Sequence, residues 1–171
     1  MGCGAGNFLV ALKKLGWEVY GSDLSRIAVD QARKQGLENI FCGYLEDIKF
    51  QDNFFDVVNL MHVLEHIDKP AETLNEIRRI LKPGGFIVIS VPNFNSLGSR
   101  LFKKYWAGLS FPLHFFHFNK KSLALMLKNS NFRVKKVYFV KTISDTVSNL
   151  ETLDTIINNY KISKWRKKIY S

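Results

Sequence analysis

Gly2-Cys3-Gly4-Ala5-Gly6, followed by Asn7 and then by Asp23 at the end of the run Val19-Tyr20-Gly21-Ser22, is the stretch whose reading decides the fold. Glycine at every second position leaves no side chain over a strand-to-helix turn. A ligand can therefore approach the backbone closely, with the N-terminus of the next helix aimed at it. Asp23 closes a short strand-like run, which would deliver its carboxylate to the hydroxyls of a ribose. A dinucleotide fold calls for G-x-G-x-x-G, but here the third glycine comes one residue early.

The 171 residues fit one domain with one core, and an apolar share of 46% is ample to fill it. Strand-like and helix-like stretches alternate, which predicts an α/β sandwich around a mostly parallel sheet. No apolar run is long enough to span a bilayer and no signal-peptide pattern is seen, so a cytoplasmic location is expected. Cys3 and Cys42 have neither metal-type nor disulfide-type spacing and read as two small buried thiols. Lys and Arg number 25 against 15 Asp and Glu, a net charge of +10. Lys161, Lys164, Arg166, Lys167 and Lys168 crowd the last eleven residues. Only Trp165 and Tyr170 accompany them, so this basic C-terminus reads as a solvated tail in weak contact with a membrane surface, not as a nucleic-acid site.

Along the chain, Ala5 to Leu15 reads as a helix with Phe8, Leu9, Leu12 and Leu15 on one face and Gly16 stopping it. Trp17 to Ser22 is a short strand. Ser25 can cap a second helix through Gln35, with Ile27, Ala28 and Ala32 inward. Asn39 to Gly43 is a further sheet segment, and Phe54 to Met61 suits a buried parallel strand. Pro70 opens a helix whose inward face carries Leu74, Ile77, Ile80 and Leu81. Lys82-Pro83-Gly84-Gly85 then turns the chain into a strand from Phe86 to Val91. Pro92 to Phe118 is irregular and aromatic, Ser122 to Asn129 is a helix, and Phe132 to Val140 is another strand. Residues beyond Asp145 read as helical and then basic.

Further stretches extend the glycine loop into a family order: Asp52-Asn53-Phe54-Phe55-Asp56-Val57-Val58, His62-Val63-Leu64-Glu65-His66-Ile67-Asp68-Lys69-Pro70, and Arg79-Ile80-Leu81-Lys82-Pro83-Gly84-Gly85. Together they resemble the class I S-adenosylmethionine-dependent methyltransferases. Pro92-Asn93-Phe94-Asn95-Ser96-Leu97, Tyr105-Trp106 and Pro112-Leu113-His114-Phe115-Phe116-His117-Phe118 narrow the resemblance to bacterial small-molecule methyltransferases related to the ubiquinone-pathway O-methyltransferases. The resemblance covers Gly2 to about Val140. It implies a Rossmann-like three-layer sandwich over residues 1–144, with 145–171 as a helical, basic extension. It also implies S-adenosylmethionine as cofactor and methyl transfer to O or N, less readily C, of a small-molecule, glycan or quinone-type acceptor. The implied cofactor-binding residues are Gly2, Gly4, Gly6, Asp23, Leu24, Tyr44, Leu45 and Met61.

Three departures from that pattern matter. The family places an apolar strand ending in an acid directly before the glycine loop, and here Met1 stands in its last position. A sheet without that central strand is expected to be poorly stable, and the sequence reads as a fragment or as one started too late. No run suits the antiparallel last strand either. Tyr44 stands where many relatives carry an acid toward the adenine amino group.

The donor in such a reaction is already activated, so the protein mainly positions the reactants and excludes water. An oxygen or nitrogen acceptor also needs a base, and the resemblance offers His62, Glu65 and His66 after the fourth family strand, with His114 and His117 in the aromatic segment. His66 reads equally as a structural histidine capping the following turn. His62, Glu65 and His66 could ligate a divalent cation, as related quinone-pathway enzymes carry an acid-rich version of the motif, but His62 replaces an acid and no metal is assigned. His114 is favoured over His117 because Leu113 and Phe115 should anchor the segment in apolar packing. Two other readings compete: a nicotinamide-dependent oxidoreductase, disfavoured by the glycine spacing and the lack of a Tyr-x-x-x-Lys pair, and a non-catalytic remnant.

Overall fold

In the computed structural model, residues 1–139 and 168–171 are described. Helix α1 (Asn7–Lys14) leaves the glycine loop and buries Leu9 and Leu12. Leu15, expected on that face, falls beyond the helix end and is exposed. Strand β1 (Glu18–Asp23) follows, and Ser25 caps α2 (Arg26–Lys34) by accepting the Ala28 N–H at 3.3 Å. Val29 and Ala32 form the buried face of α2. Ile27 lies about 200° round the helix from Val29, which puts it in solvent rather than inward.

The first half ends with β2 (Ile40–Cys42) and the single-turn α3 (Leu45–Ile48). Strand β3 (Phe55–Met61) is buried along nearly its whole length, as a parallel strand covered on both faces should be. Pro70 occupies the first turn of α4 (Pro70–Ile80), where its missing N–H costs no hydrogen bond, and Leu74, Ile77 and Ile80 face the core. Lys82-Pro83-Gly84-Gly85 turns the chain as expected, with Pro83 followed by a positive-φ glycine. These residues lie inside β4 (Leu81–Ser90) as a bulge, with the register shifting between Phe55 and Val57 of β3 and Gly84 at φ 81°. Helices α5 (Leu97–Phe102) and α6 (Lys120–Asn129) come next, α6 with a capping box between Asn119 and Ser122.

The five-stranded sheet runs β2-β1-β5-β3-β4, and every described pairing is parallel. Strand β5 (Lys168–Tyr170) fills the central position that the sequence left empty. Ile169 pairs with Val19 on one side and Val57 on the other, and Tyr170 with Tyr20 and Val58. The pleat sends these two side chains to opposite faces. Ile169 joins Leu9, Leu12, Val29 and Ile40 on one side of the sheet, and Tyr170 joins Phe55, Leu74 and Ile77 on the other. Lys168 is therefore no part of a solvated tail: its N–H donates to Asp56 Oδ2 at 2.9 Å and its ammonium lies 3.4 Å from Glu18. The remainder of the expected C-terminal helix and basic run lies outside the described residues.

Residues 132–139 do not form the strand expected from Phe132 onward. The alternation begun by Phe132 and Val134 slips phase at Lys135-Lys136, so Val137 and Phe139 cannot continue the same apolar face. Cys42 is exposed rather than buried, while Cys3 is half-buried.

Candidate active site

The three loop glycines all have positive φ, at 68°, 53° and 83°, but they answer to different constraints. A Cβ on Gly2 would lie 2.4 Å from Val63 Cγ2, and one on Gly6 would lie 2.5 Å from Leu37 Cδ1 and 3.0 Å from Ala32 Cβ. Those two positions are glycine for packing. A Cβ on Gly4 would meet nothing within 4 Å, so Gly4 is where the backbone stays open to a ligand.

Asp23, at the carboxyl end of β1, reaches back to this loop. Its Oδ2 accepts the Gly4 N–H at 2.8 Å and its Oδ1 accepts the Ser25 N–H at 2.9 Å. Each carboxylate oxygen keeps a lone pair for a further donor. An open glycine, a positive-φ loop at the start of α1 and a half-buried carboxylate beside it fit a nucleoside carrying ribose hydroxyls. Tyr44 and Leu24 are exposed on neighbouring loops, and Met61 is half-buried at the end of β3 opposite Ser90. Leu45 is fully buried, and its side chain packs in the core. Burial pushes the Met1 amine down to about 5, against the opposing pull of Cys3 and Asp23. Burial also pushes the Cys3 thiol up.

The second group of residues sits beyond β3. His62 takes a left-handed φ of 55°, a conformation a bulky residue adopts at some cost, and its N–H donates to Ser90 O at 2.9 Å. His62 Nδ1 stands 3.4 Å from Glu65 Oε1. Glu65 and His66 belong to the 3-10 turn Leu64–His66. The Glu65 carbonyl accepts the N–H groups of Phe115 and Phe116 at 2.8 and 3.3 Å, which ties the aromatic segment to this turn. His66 reaches across instead of capping its own turn, with Nδ1 3.0 Å from Leu113 O. His114 packs edge-on against His66, ring centroids 4.6 Å apart, with its Nδ1 3.0 Å from Gly108 O.

The structure thus brings Glu65, His66 and His114 together, with His62 beside Glu65, although the sequence separates His114 from the others by some fifty residues. His117 turns toward Leu109 O at 2.9 Å. The anchors of the segment differ from those expected. Leu113 and Phe115 are 67% and 61% exposed, whereas Phe118 is buried and Phe116 packs against the core. Sequence reasoning also missed a buried polar seam under the loop. There the hydroxyls of Ser22 and Tyr170 bond to each other and Asn59 Nδ2 donates to Ser171 Oγ at 2.9 Å. The partners lie 148 and 112 residues apart, so no local pattern announces them.

A parallel sheet flanked by helices, with a glycine loop and an acid at the carboxyl ends of its strands, is the Rossmann-like fold of S-adenosylmethionine-dependent methyltransferases. The chain is similar to a solved methyltransferase of this class from Archaeoglobus fulgidus, with 26% identity, a TM-score of 0.65, and coverage of 97% of this chain and 78% of that one. A second, from Thermotoga maritima, matches with 25% identity and a TM-score of 0.65 over 78% of this chain and 62% of that one. The family described as "Methyltransferase domain" matches residues 1–137, and the chain belongs to it. Membership and fold imply S-adenosylmethionine as the cofactor. Among curated proteins, the ubiquinone biosynthesis O-methyltransferases of Alkalilimnicola ehrlichii and Paraburkholderia xenovorans are each 34% identical over 101 residues, 56% of this chain. The chain spans 41% and 44% of their lengths, less than half of either relative. Among the described residues, no helix is long and apolar enough to cross a membrane.

Proposed function

We propose that this protein is an S-adenosylmethionine-dependent methyltransferase acting on an oxygen of a small, quinone-type acceptor. The observation that carries the reading is the open Gly4 backbone held at 2.8 Å by Asp23. The names of the curated relatives support oxygen as the receiving atom and a quinone precursor as the acceptor class. When bound, S-adenosylmethionine supplies a methyl group on a sulfonium, activated for in-line displacement. Gly4 lets the donor lie against the backbone, and Asp23 accepts hydrogen bonds from the ribose hydroxyls with its remaining lone pairs. The segment from Asn93 to Phe118 covers the acceptor side and excludes water with its aromatics. His66 and His114 face the place where the acceptor loses its proton, and Glu65 and His62 support them. A cytoplasmic location and weak membrane-surface contact through the basic C-terminus belong to the same reading.

Calorimetric titration with S-adenosylhomocysteine and with NADH tests it. S-adenosylhomocysteine should bind and NADH should not, since the loop lacks the dinucleotide spacing. Asp23→Ala should weaken S-adenosylhomocysteine by about 1.5–3 kcal/mol, through loss of charge-assisted hydrogen bonds. Binding of NADH alone, or an unchanged dissociation constant in Asp23→Ala, would refute the assignment.

A further inference from the structure

The 3-10 turn Ala107–Leu109 offers two successive carbonyls to two imidazoles. Gly108 O meets His114 Nδ1 at 3.0 Å, and Leu109 O meets His117 Nε2 at 2.9 Å. A carbonyl oxygen only accepts, so each of those ring nitrogens carries the proton. A neutral imidazole has a single N–H, which leaves the lone pair of His114 on Nε2 and that of His117 on Nδ1. The turn sets the two rings in opposite tautomers. Ser110 closes it. Its Oγ donates to Ala107 O at 2.8 Å, and its own carbonyl accepts the N–H groups of Leu113 and His114 at 2.7 and 3.2 Å. His114 is therefore held here through both its backbone and its ring.

The turn itself is braced by an indole. Trp106 is half-buried, and its benzo edge occupies the place a side chain at Gly108 would need. A Cβ on Gly108 would stand 2.3 Å from Cζ2, 2.6 Å from Cη2 and 2.7 Å from Cε2. The backbone does not ask for glycine at this position, since its φ lies outside the left-handed region. The indole does. Its other edge faces Gly98 of α5, where a Cβ would make ordinary contacts of 3.4 and 3.5 Å with Nε1 and Cδ1. The Phe94 ring lies 6.2 Å from Trp106 and 5.4 Å from His117, centroid to centroid.

We propose that Trp106 is a positioning residue for His114: seated on Gly108, the indole fixes the carbonyl that keeps the His114 proton on Nδ1 and its Nε2 lone pair free for the acceptor. This rests on the reading above, in which His114 faces the place where the acceptor loses its proton. Trp106 acts through one peptide group. A flat ring against a glycine leaves that peptide plane no room to tilt, and a fixed carbonyl direction holds a single tautomer. A base in the other tautomer would present an N–H where the acceptor needs a lone pair.

Nitrogen NMR of the imidazoles in the full chain, at pH about 8 where ordinary histidines are neutral, reads the tautomer without any acceptor. The His114 signals are assigned by their loss in His114→Gln. Wild type should carry the proton on Nδ1 of His114 and on Nε2 of His117. Trp106→Ala and Gly108→Ala should each lower the Nδ1-to-Nε2 proton ratio of His114 by about fivefold, the weight of one ordinary hydrogen bond. Trp106→Phe keeps a flat ring against Gly108 and should hold most of that ratio, and Gly98→Ala should hold all of it. His117, on the next carbonyl, should keep its proton on Nε2 in Trp106→Ala. If Trp106→Ala does not fold, Gly108→Ala decides alone. Wild-type His114 with its proton on Nε2, or an unchanged ratio in the variants, overturns the proposal. So does loss of both tautomers together with a fall in Tm, which would mean that Trp106 only holds up the turn. S-adenosylhomocysteine titrated into the same wild-type sample separates this failure from failure of the methyltransferase reading.

Discussion

Gly4 and Gly6 look alike in the sequence and answer to different needs. Adding a Cβ at Gly6 drives it into Leu37 and Ala32, so Gly6→Ala should cost about 1–3 kcal/mol of folding stability by overpacking. Gly4 has open space around it, so Gly4→Ala should cost only the left-handed backbone penalty of about 1–2 kcal/mol. Its methyl group would instead stand where the ligand approaches. Urea melts and S-adenosylhomocysteine titrations of the two variants should therefore rank them in opposite orders, and equal ranking would contradict the division of roles. Spacing was enough to single out Asp23, because an acid closing a strand after a glycine loop is a local pattern. The two N–H groups it holds, the bare burial of Glu65 and the exposure of Leu113 and Phe115 were not legible. Each depends on what lies across a gap in the chain, which residue type does not encode.

At the scale of elements, β1, β3, α2 and α4 were legible because period, cap and proline all agree within one short window. The strand β5 was not: three residues beside a basic run carry no period, and both of its partners lie more than a hundred positions away. Phe132 to Val140 failed for the opposite reason, being apolar enough for a strand but out of phase with itself. The energetic weight of β5 is open to measurement. Ile169 is buried between two strands, so Ile169→Ala should cost about 2–5 kcal/mol in a urea titration. Tyr170 adds a pH signature. Burial lifts its phenol well above the ordinary 10.0, with the Ser22 hydrogen bond opposing. Below pH 10 the phenol is neutral in both states and its contribution is fully present. Above pH 10 the unfolded chain ionises while the folded one does not, so stability falls as pH rises. Tyr20, pushed up to about 12 mainly by burial, adds a slope of the same sign. Tyr170→Phe should flatten the alkaline loss without abolishing it, and an unchanged slope would place Tyr170 outside the sheet.

Across the whole molecule the charge is lopsided. No Asp or Glu occurs between Glu76 and Asp145, a stretch that holds thirteen Lys and Arg. The residues before it, through Glu76, are net acidic. Retention on a sulfonate resin should therefore respond to where a charge is removed as well as to how many are removed. Reversing Lys103 and Lys104 to Glu should lower the eluting salt concentration more than reversing Lys14 and Lys34, and equal shifts would mean that net charge alone governs. The fold class was legible at this scale because alternating elements leave few architectures to choose from, whereas the filling of the sheet's centre was not. That filling carries a consequence for biosynthesis. On the ribosome, β1 with β2 and β3 with β4 can each pair as soon as they emerge, but Lys168–Tyr170 is added after every other described sheet residue. Among the described strands only β5 joins the two half-sheets, so that joint forms after translation has passed the whole of the acid-free stretch.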